Sequence, residues 1–341
     1  MNSEVVKFVA GGGKTTESIK YIEENNNGIY LAFTNSVVDD IKNKGYLAKT
    51  IDSFFMTFII PKFISLIPII PKNAKIKFID SKELKNNLIG ISNIHIDLDG
   101  KIYNRGKYTG IDIMMNNEKI HKMNYVPNLQ YIKYIFSTED LKLTDELRAE
   151  LSLYLIKNYE NEIVKLIESR FSYVLIDEAQ DLNRHREALA QILYKSNIKL
   201  ILFGDDYQNI NGGGNWFEEL KPKLRKNESY RCPEDNCKWI RENLDIDIKG
   251  NTDKGGVTQI TYEEVLKLDD GKRTLLYSVK SGKNIDIVQK WKGRKKTIKT
   301  AKGSTIYDDI VIIGNELSKK NMYTAITRTK KNVYTTVKKY K

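Results

Sequence analysis

Two short runs in the sequence carry residues whose types and order suit phosphate chemistry. The first is AGGGKTT, residues 10–16, between an apolar run at 5–10 and a segment at 14–24 with helical apolar spacing. Strand, glycine turn and helix in that order form the setting in which a glycine-rich loop binds a nucleotide. Gly11, Gly12 and Gly13 let backbone N–H groups turn inward around phosphate oxygens. Lys14 would reach the β- and γ-phosphates, Thr15 would ligate Mg2+, Thr16 would extend the cradle, and the helix N-terminus adds a favourable field. The fuller form of the pattern has glycine where Phe8 stands, so a flexible turn that happens to contain GKT is the other reading of this loop alone.

The second run is VLIDEAQD, residues 174–181. An apolar strand ending in Asp-Glu is the usual partner of such a loop. Asp177 would hold Mg2+ through its water shell, and Glu178 would polarise the attacking water as general base. Two surface carboxylates capping a strand are the bland alternative, and the joint occurrence of both motifs argues against it.

The elements that must position these groups follow from hydrophobic patterning. Strands are expected at 5–10, 29–33, 48–51, 173–176 and 199–203, and helices at 14–24, 37–44 and 147–169. Ligands of an open α/β sheet bind beyond the carboxyl ends of its strands, which brings Lys14, Asp177 and Asp205 to one crevice. Between 56 and 145 the pattern loosens and reads as an insertion, with GKIYNRGKYTG at 100–110 as a hairpin or loop. A second α/β unit begins near 228. It has helices at 234–243, 284–291 and 318–327 and strands at 273–279, 296–300, 310–313 and 333–337.

Composition narrows the partners. The chain has 341 residues and a formal net charge of +12, a field that favours a polyanion, although basic surfaces also meet membranes or only solvate. Cys232, Cys237 and the three histidines have no zinc-site spacing, and two cysteines in so long a chain fit a reducing compartment. The first residues lack the shape of a signal peptide. The apolar run at 54–70 contains Pro61 and Pro68 and is followed by Pro71, so it reads as buried packing and no membrane partner is expected.

With both phosphate motifs in place, the chain resembles superfamily 1 helicases, most closely the UvrD/Rep type, in which DEAQD is a typical motif II. YLAFTNSVV at 30–38 resembles motif Ia, and KTIDSFF at 49–55 resembles the family's T-F/I-H-S segment, with Asp52 where histidine is usual. LFGDDYQNI at 202–210, ESYRC at 228–232, TIKTAKGST at 297–305 and MYTAITRTKK at 322–331 are similar to motifs III, IV, V and VI. The resemblance implies two RecA-like lobes of a P-loop NTPase with an insertion in the first. Lobe one would be 1–55 with 146–225, the insertion 56–145, and lobe two 226–341.

It implies roles as well. Gln208 would sense the γ-phosphate, Tyr230 would stack on adenine, Arg231 would touch the γ-phosphate, Gly303 would border the nucleotide, and Arg328 would be the arginine finger. Phe33, Thr34, Asn35, Thr50, Ser53, Phe54, Trp216, Lys299 and Thr300 would meet the nucleic acid. Phe33, Phe54 and Trp216 are its candidate stacking rings, and packing in the core is an equal alternative for each. ATP and Mg2+ are the implied cofactors and single-stranded nucleic acid, DNA before RNA, the partner. The activity would be that of a helicase or translocase. A nucleic-acid-stimulated ATPase switch that does not unwind is the second reading. A small-molecule kinase would share the loop but has no need of Gln208, Arg231 and Arg328.

Some positions depart from the family pattern. Glycines at 212–214 stand where the UvrD type has a stacking aromatic, with Trp216 and Phe217 beyond. Lys299 and Thr305 replace histidine and glutamate, and the wording of motifs V and VI leans toward RecD/Dda-type members. The family's Gln-containing adenine motif lies upstream of the phosphate loop, where little chain precedes Ala10. The short stretch between Cys232 and Thr297 leaves no room for the large extra subdomain of UvrD-type enzymes. Abundant Lys, Asn and Ile suggest an AT-rich genome, and the compact form suits a virus; the expected location is the cytoplasm of a bacterium or of a virus-infected host cell.

Overall fold

The computed structural model describes residues 2–66, 145–251, 255–278 and 282–341, together with short strands between 75 and 143. The chain forms two compact units. One comprises 1–49, 168–183 and 193–341, and the other 50–167 with 184–192.

Among the described residues the first unit carries two larger sheets and two two-stranded ones. In the first sheet the strands are β1 (Glu4–Phe8), β2 (Gly28–Ala32), β3 (Ala48–Thr50), β4 (Tyr173–Ile176), β5 (Lys199–Gly204) and β6 (Leu224–Lys226). Their spatial order is β6-β1-β5-β4-β2-β3, with parallel pairing from β6 through β2. Val6, Leu175, Ile201 and Phe203 are fully buried, and the side chains of β4 are buried along its whole length. This burial on both faces explains why the strands read as apolar runs rather than alternating ones. Helix α1 (Lys14–Glu24) follows β1, and α2 (Asn35–Asn43) follows β2.

The second sheet holds β7 (Gly256–Gln259), β8 (Thr274–Tyr277), β9 (Arg294–Thr297), β10 (Ile310–Ile313) and β11 (Asn332–Thr335), in the order β7-β11-β10-β8-β9, all parallel. Its core centres on buried Ile240, Leu276, Ile312, Met322 and Val333.

One expectation for this sheet is corrected. The strand expected at 296–300 ends at Thr297, and Ile298–Ala301 is a turn of helix. The Thr297 hydroxyl accepts the Thr300 N–H at 3.0 Å, an N-cap that diverts the backbone from the ladder. Val279 of the strand expected at 273–279 lies outside the described residues.

In the second unit, residues 51–66 are helical throughout, with a π-helical turn at Phe55–Ile59. Phe54, Phe55, Ile59, Ile60 and Phe63 are buried, in keeping with the packing expected of this run; its residues 67–70 lie outside the described ones. Pro61 follows the π-helical turn directly, at the start of Ile60–Phe63. The helix expected at 147–169 runs Asp145–Arg170 and is interrupted at Tyr159 (φ −136°, ψ 34°). Within the insertion, Ile102–Asn104 and Lys107–Tyr108 pair antiparallel as the strands of a hairpin, and Ile111–Met115 pairs with Glu118–Met123. Most of the rest of 56–145 lies outside the described residues. Among those described, no helix is long and apolar enough to cross a membrane.

Candidate nucleotide-binding site

Beyond the end of β1 the chain turns sharply. Gly12 N–H donates to the Val9 carbonyl at 2.9 Å, and Gly11 and Gly13 adopt φ of +74° and +85°. Those angles suit glycine, since a Cβ there clashes with the backbone. Gly13 is the N-cap of α1 and supplies no capping side chain, so the first N–H groups of the helix face outward for an anion. The loop is strapped to the 228–232 segment. Ser229 Oγ donates to the Ala10 carbonyl at 2.6 Å, and Tyr230 N–H donates to the Gly11 carbonyl at 2.9 Å.

The DEAQD turn follows β4. Tyr30, fully buried in β2, donates its hydroxyl to Asp177 Oδ2 at 2.7 Å, and Glu178 N–H donates to Oδ1 at 2.8 Å. Burial, with the neighbouring Glu178 charge, raises the Asp177 carboxyl to about 6. Glu178 takes the left-handed conformation (φ 52°), a strained choice for a side-chain-bearing residue. Burial alone would raise its carboxyl. The charges of Lys14 and Lys302, the hydrogen bond from Gln180 and the charge of Arg328 outweigh that and hold it at about 2.

A buried hydrogen-bond joint ties motifs II, III, V and VI together. Tyr323, in helix α7 (Lys319–Ile326, with α3 Asp145–Arg170, α4 Arg184–Lys195, α5 Glu234–Leu244 and α6 Lys283–Lys290 before it), accepts from Ala10 N–H at 2.9 Å and donates to Asp205 Oδ2 at 2.9 Å. Gln208 Nε2 donates to the same carboxylate oxygen at 2.9 Å. Lys302 Nζ lies 2.6 Å from both Asp181 oxygens and 2.6 Å from the Gln208 carbonyl. Tyr323→Phe removes one hydroxyl and leaves Asp205 a buried acceptor short. We expect a lowered Tm, from a penalty of about 1–3 kcal/mol, and slowed ATP turnover with little change in nucleotide affinity. Unchanged melting and turnover would show the joint to be idle.

These elements form a cleft of about 370 Å³ lined by Gly11, Gly12, Gly13, Lys14, Thr15, Thr16, Glu178, Gln208, Tyr230, Arg231, Gly303, Thr305, Tyr307, Arg328 and Lys330. Twelve of these fifteen are residues expected from the sequence to hold nucleotide or act on it; Thr305, Tyr307 and Lys330 are the other three. Asp177 is buried and is not among the cleft's walls. Arg328 is 2% exposed, and its Nε donates to the Thr324 carbonyl at 3.0 Å. Burial, then the Arg231 charge, lowers it to about 9. Arg231 Nε is buried without a hydrogen-bond partner among the described residues. An orphaned guanidinium donor, a loop of glycines and an open helix N-terminus fit a nucleotide's phosphates, and the Thr15 hydroxyl and Asp177 carboxylate are the hard oxygen donors that Mg2+ takes.

The residues expected to meet nucleic acid are not all presented alike. Thr34 and Asn35 are exposed at the start of α2 and Phe33 is half-buried. Lys299 and Thr300 are exposed on the turn capped by Thr297. Thr50 caps its own short helix in the same way, accepting the Ser53 N–H at 3.1 Å. Phe54 is corrected as a stacking candidate, since it is fully buried and stacked on Phe58 with ring centroids 4.9 Å apart, so no ring face is open to a base. Asp52, where the family has histidine, is the centre of an ion cluster. It accepts two bonds from Arg186 at 3.0 and 2.7 Å, lies 3.1 Å from His185 and pairs with Arg148 at 2.9 Å. Against the effect of burial, these partners hold its carboxyl well below the usual range.

Trp216 is half-buried, edge-on to Tyr194 at 5.7 Å. Its turn is organised by Asn209, whose amide donates to Glu218 at 2.8 Å and whose oxygen accepts Gly213 N–H at 3.0 Å. Trp216→Ala is expected to weaken single-strand binding by about 1–3 kcal/mol and to uncouple strand stimulation from hydrolysis, with basal ATP turnover retained. A fall in Tm with coupling intact in the folded fraction would make the ring a packing residue.

Sequence reasoning passed over Tyr30, Thr297, Lys302, Tyr307, Tyr323 and Lys330. Lys302 and Tyr323 lie inside motifs V and VI and Tyr30 opens motif Ia, but nothing in the local sequence marks any of the three for the contacts they make.

Residues 72–212 match the family model of the UvrD/REP helicase N-terminal domain. No curated protein matches the sequence. Among solved structures, the PRRSV helicase is similar over 98% of this chain and 52% of its own, with 11% identity and a TM-score of 0.48. Arterivirus nonstructural protein 10, a helicase, is similar over 98% of this chain and 59% of its own, with 13% identity and a TM-score of 0.47. The same protein in complex with DNA gives 14% identity, 98% and 60% coverage and a TM-score of 0.47. The chain thus spans between half and three-fifths of the length of these structures. AGGGKTT, DEAQD and the later motifs gather around one cleft, in a chain whose residues 72–212 are similar to the UvrD/REP helicase N-terminal domain.

Proposed function

We propose that the protein is an ATP-dependent helicase or translocase that moves on single-stranded nucleic acid, DNA before RNA. The observation that carries the reading is the cleft in which Lys14, Glu178, Gln208, Arg231 and Arg328 converge. Lys14 and the loop N–H groups bind the β- and γ-phosphates, and Arg231 and Arg328 bind the γ-phosphate. Glu178, ionised, accepts a proton from the attacking water as the new O–P bond forms. The bond from the bridging oxygen to the γ-phosphorus breaks, and ADP leaves with the electron pair. Mg2+ held by Thr15 and, through water, by Asp177 would neutralise charge on the phosphate oxygens.

The division into lobes, 1–55 with 146–225 and 226–341, gives the motion. Closure on ATP and opening after hydrolysis would pass through the Tyr323 joint, which touches the phosphate loop and motif III together. Thr34, Asn35, Thr50, Ser53, Lys299 and Thr300 would grip the strand, with Phe33 and Trp216 stacking on bases. The half-buried state of Trp216 favours one other reading, an ATPase switch that binds strands without separating them. The test is ATP hydrolysis with and without matched single-stranded DNA and RNA oligomers, beside a strand-displacement assay. Stimulation with displacement supports the helicase, stimulation alone supports the switch, and no stimulation by either strand removes both.

A further inference from the structure

Among the described residues the two most exposed large hydrophobic side chains are Tyr307 at 67% and Tyr230 at 53%, and both line the nucleotide cleft. A lone exposed ring is ordinary, but two on the walls of one cleft offer apolar faces to whatever enters it. Tyr230 matches a family motif; Tyr307 matches none. Its position is nonetheless built. Ile306 N–H donates to the Arg328 carbonyl at 2.8 Å, Ile306 pairs with Thr329 in a parallel bridge, and Thr329 Oγ1 donates to the Asp308 carbonyl at 2.6 Å. Ile306 is buried, and in an extended segment the next side chain points the opposite way, so the buried residue turns Tyr307 outward. Lys330, two residues after Arg328, lies with its ammonium 5.6 Å from the Tyr307 ring centroid and lines the same cleft.

We propose that Tyr307, steadied by Lys330, is the second wall of the base site, and that the nucleobase is held by its faces between Tyr230 and Tyr307. This rests on the cleft being a nucleotide site. Among the described lining residues Glu178 and Gln208 belong to the hydrolytic face, the Thr305 hydroxyl accepts from Arg231 at 3.5 Å, and the Lys330 ammonium lies over the Tyr307 ring. Selection therefore acts on the triphosphate and on the π-face that every base has, and the substrate class is nucleoside triphosphates regardless of base.

The test uses the full chain. Displacement of a fluorescent ADP analogue by ADP, GDP, CDP and UDP is measured beside hydrolysis of the four triphosphates. Wild type is expected to treat the four alike to within about tenfold. Tyr307→Ala should weaken all four by about tenfold, raising KM more than it lowers kcat, and Tyr307→Trp should restore them. Melting curves establish that the exposed substitutions leave the fold intact. A preference beyond roughly hundredfold for one base, the scale that edge-reading polar groups give, overturns the proposal. So does unchanged affinity in a folded Tyr307→Ala variant. Binding without hydrolysis in the wild type would defeat the ATPase reading and leave the binding arm to decide on Tyr307. No binding of any nucleotide would overturn both.

Discussion

Arg328→Ala is expected to slow ATP turnover by about 10³ to 10⁵ while nucleotide still binds, the range seen when an arginine finger is removed. The side chain is almost wholly buried, is held by the Thr324 carbonyl and lines the cleft with Lys14 and Gln208. A guanidinium fixed in so dry a place meets charge developing on the γ-phosphate with little reorganisation. Arg328→Lys is expected to recover little, because a point ammonium cannot replace the planar fork. Removing a buried side chain also costs stability, so melting and binding of a fluorescent nucleotide are measured on the same preparation. Folded, nucleotide-binding variants whose turnover stays within tenfold of wild type would mean that the arginine has no part in the chemistry.

Glu178→Gln is expected to bind ATP and lower its hydrolysis by about 10² to 10⁴, the contribution of a positioned general base. The substitution keeps the shape of the side chain and removes the negative charge that Lys14, Lys302 and Arg328 stabilise. Single-turnover measurements should show bound ATP that persists, and affinity should hold or rise, since a carboxylate beside the γ-phosphate is gone. Near-normal turnover would mean that another group takes the proton from water and that DEAQD has been misread.

The parts of this molecule legible in the sequence are the contiguous ones. AGGGKTT and DEAQD announce themselves because a phosphate cradle and a carboxylate pair each need neighbouring residues on one turn. The apolar runs that became β4 and β10 were clear because both faces of those strands are buried. Tyr323 was hidden for the opposite reason. Its two hydrogen-bond partners, Ala10 and Asp205, lie far from it in the chain, and nothing local distinguishes it from a core tyrosine. The strand expected at 296–300 failed because threonine favours both strands and N-caps, and here the cap at Thr297 prevails. For Phe54 the sequence left core and strand contact open, because an aromatic at a motif's end is as apt to fill the core as to face a ligand, and the core reading holds.

The contact between Lys302 and Asp181 has a consequence for ionic conditions. Their side chains are 7% and 8% exposed, and the ammonium also reaches the Gln208 carbonyl. Dissolved ions screen exposed charges over about 8–10 Å and reach buried pairs far less. Lys299, on the same short turn, is exposed, and a grip of that kind on a phosphate weakens steeply as salt displaces it. If Lys299 grips a strand as proposed, rising salt would weaken that grip at the outer face of motif V while the inner lysine keeps motifs II, III and V in register, so strand binding would be lost before the hydrolytic cleft is disturbed.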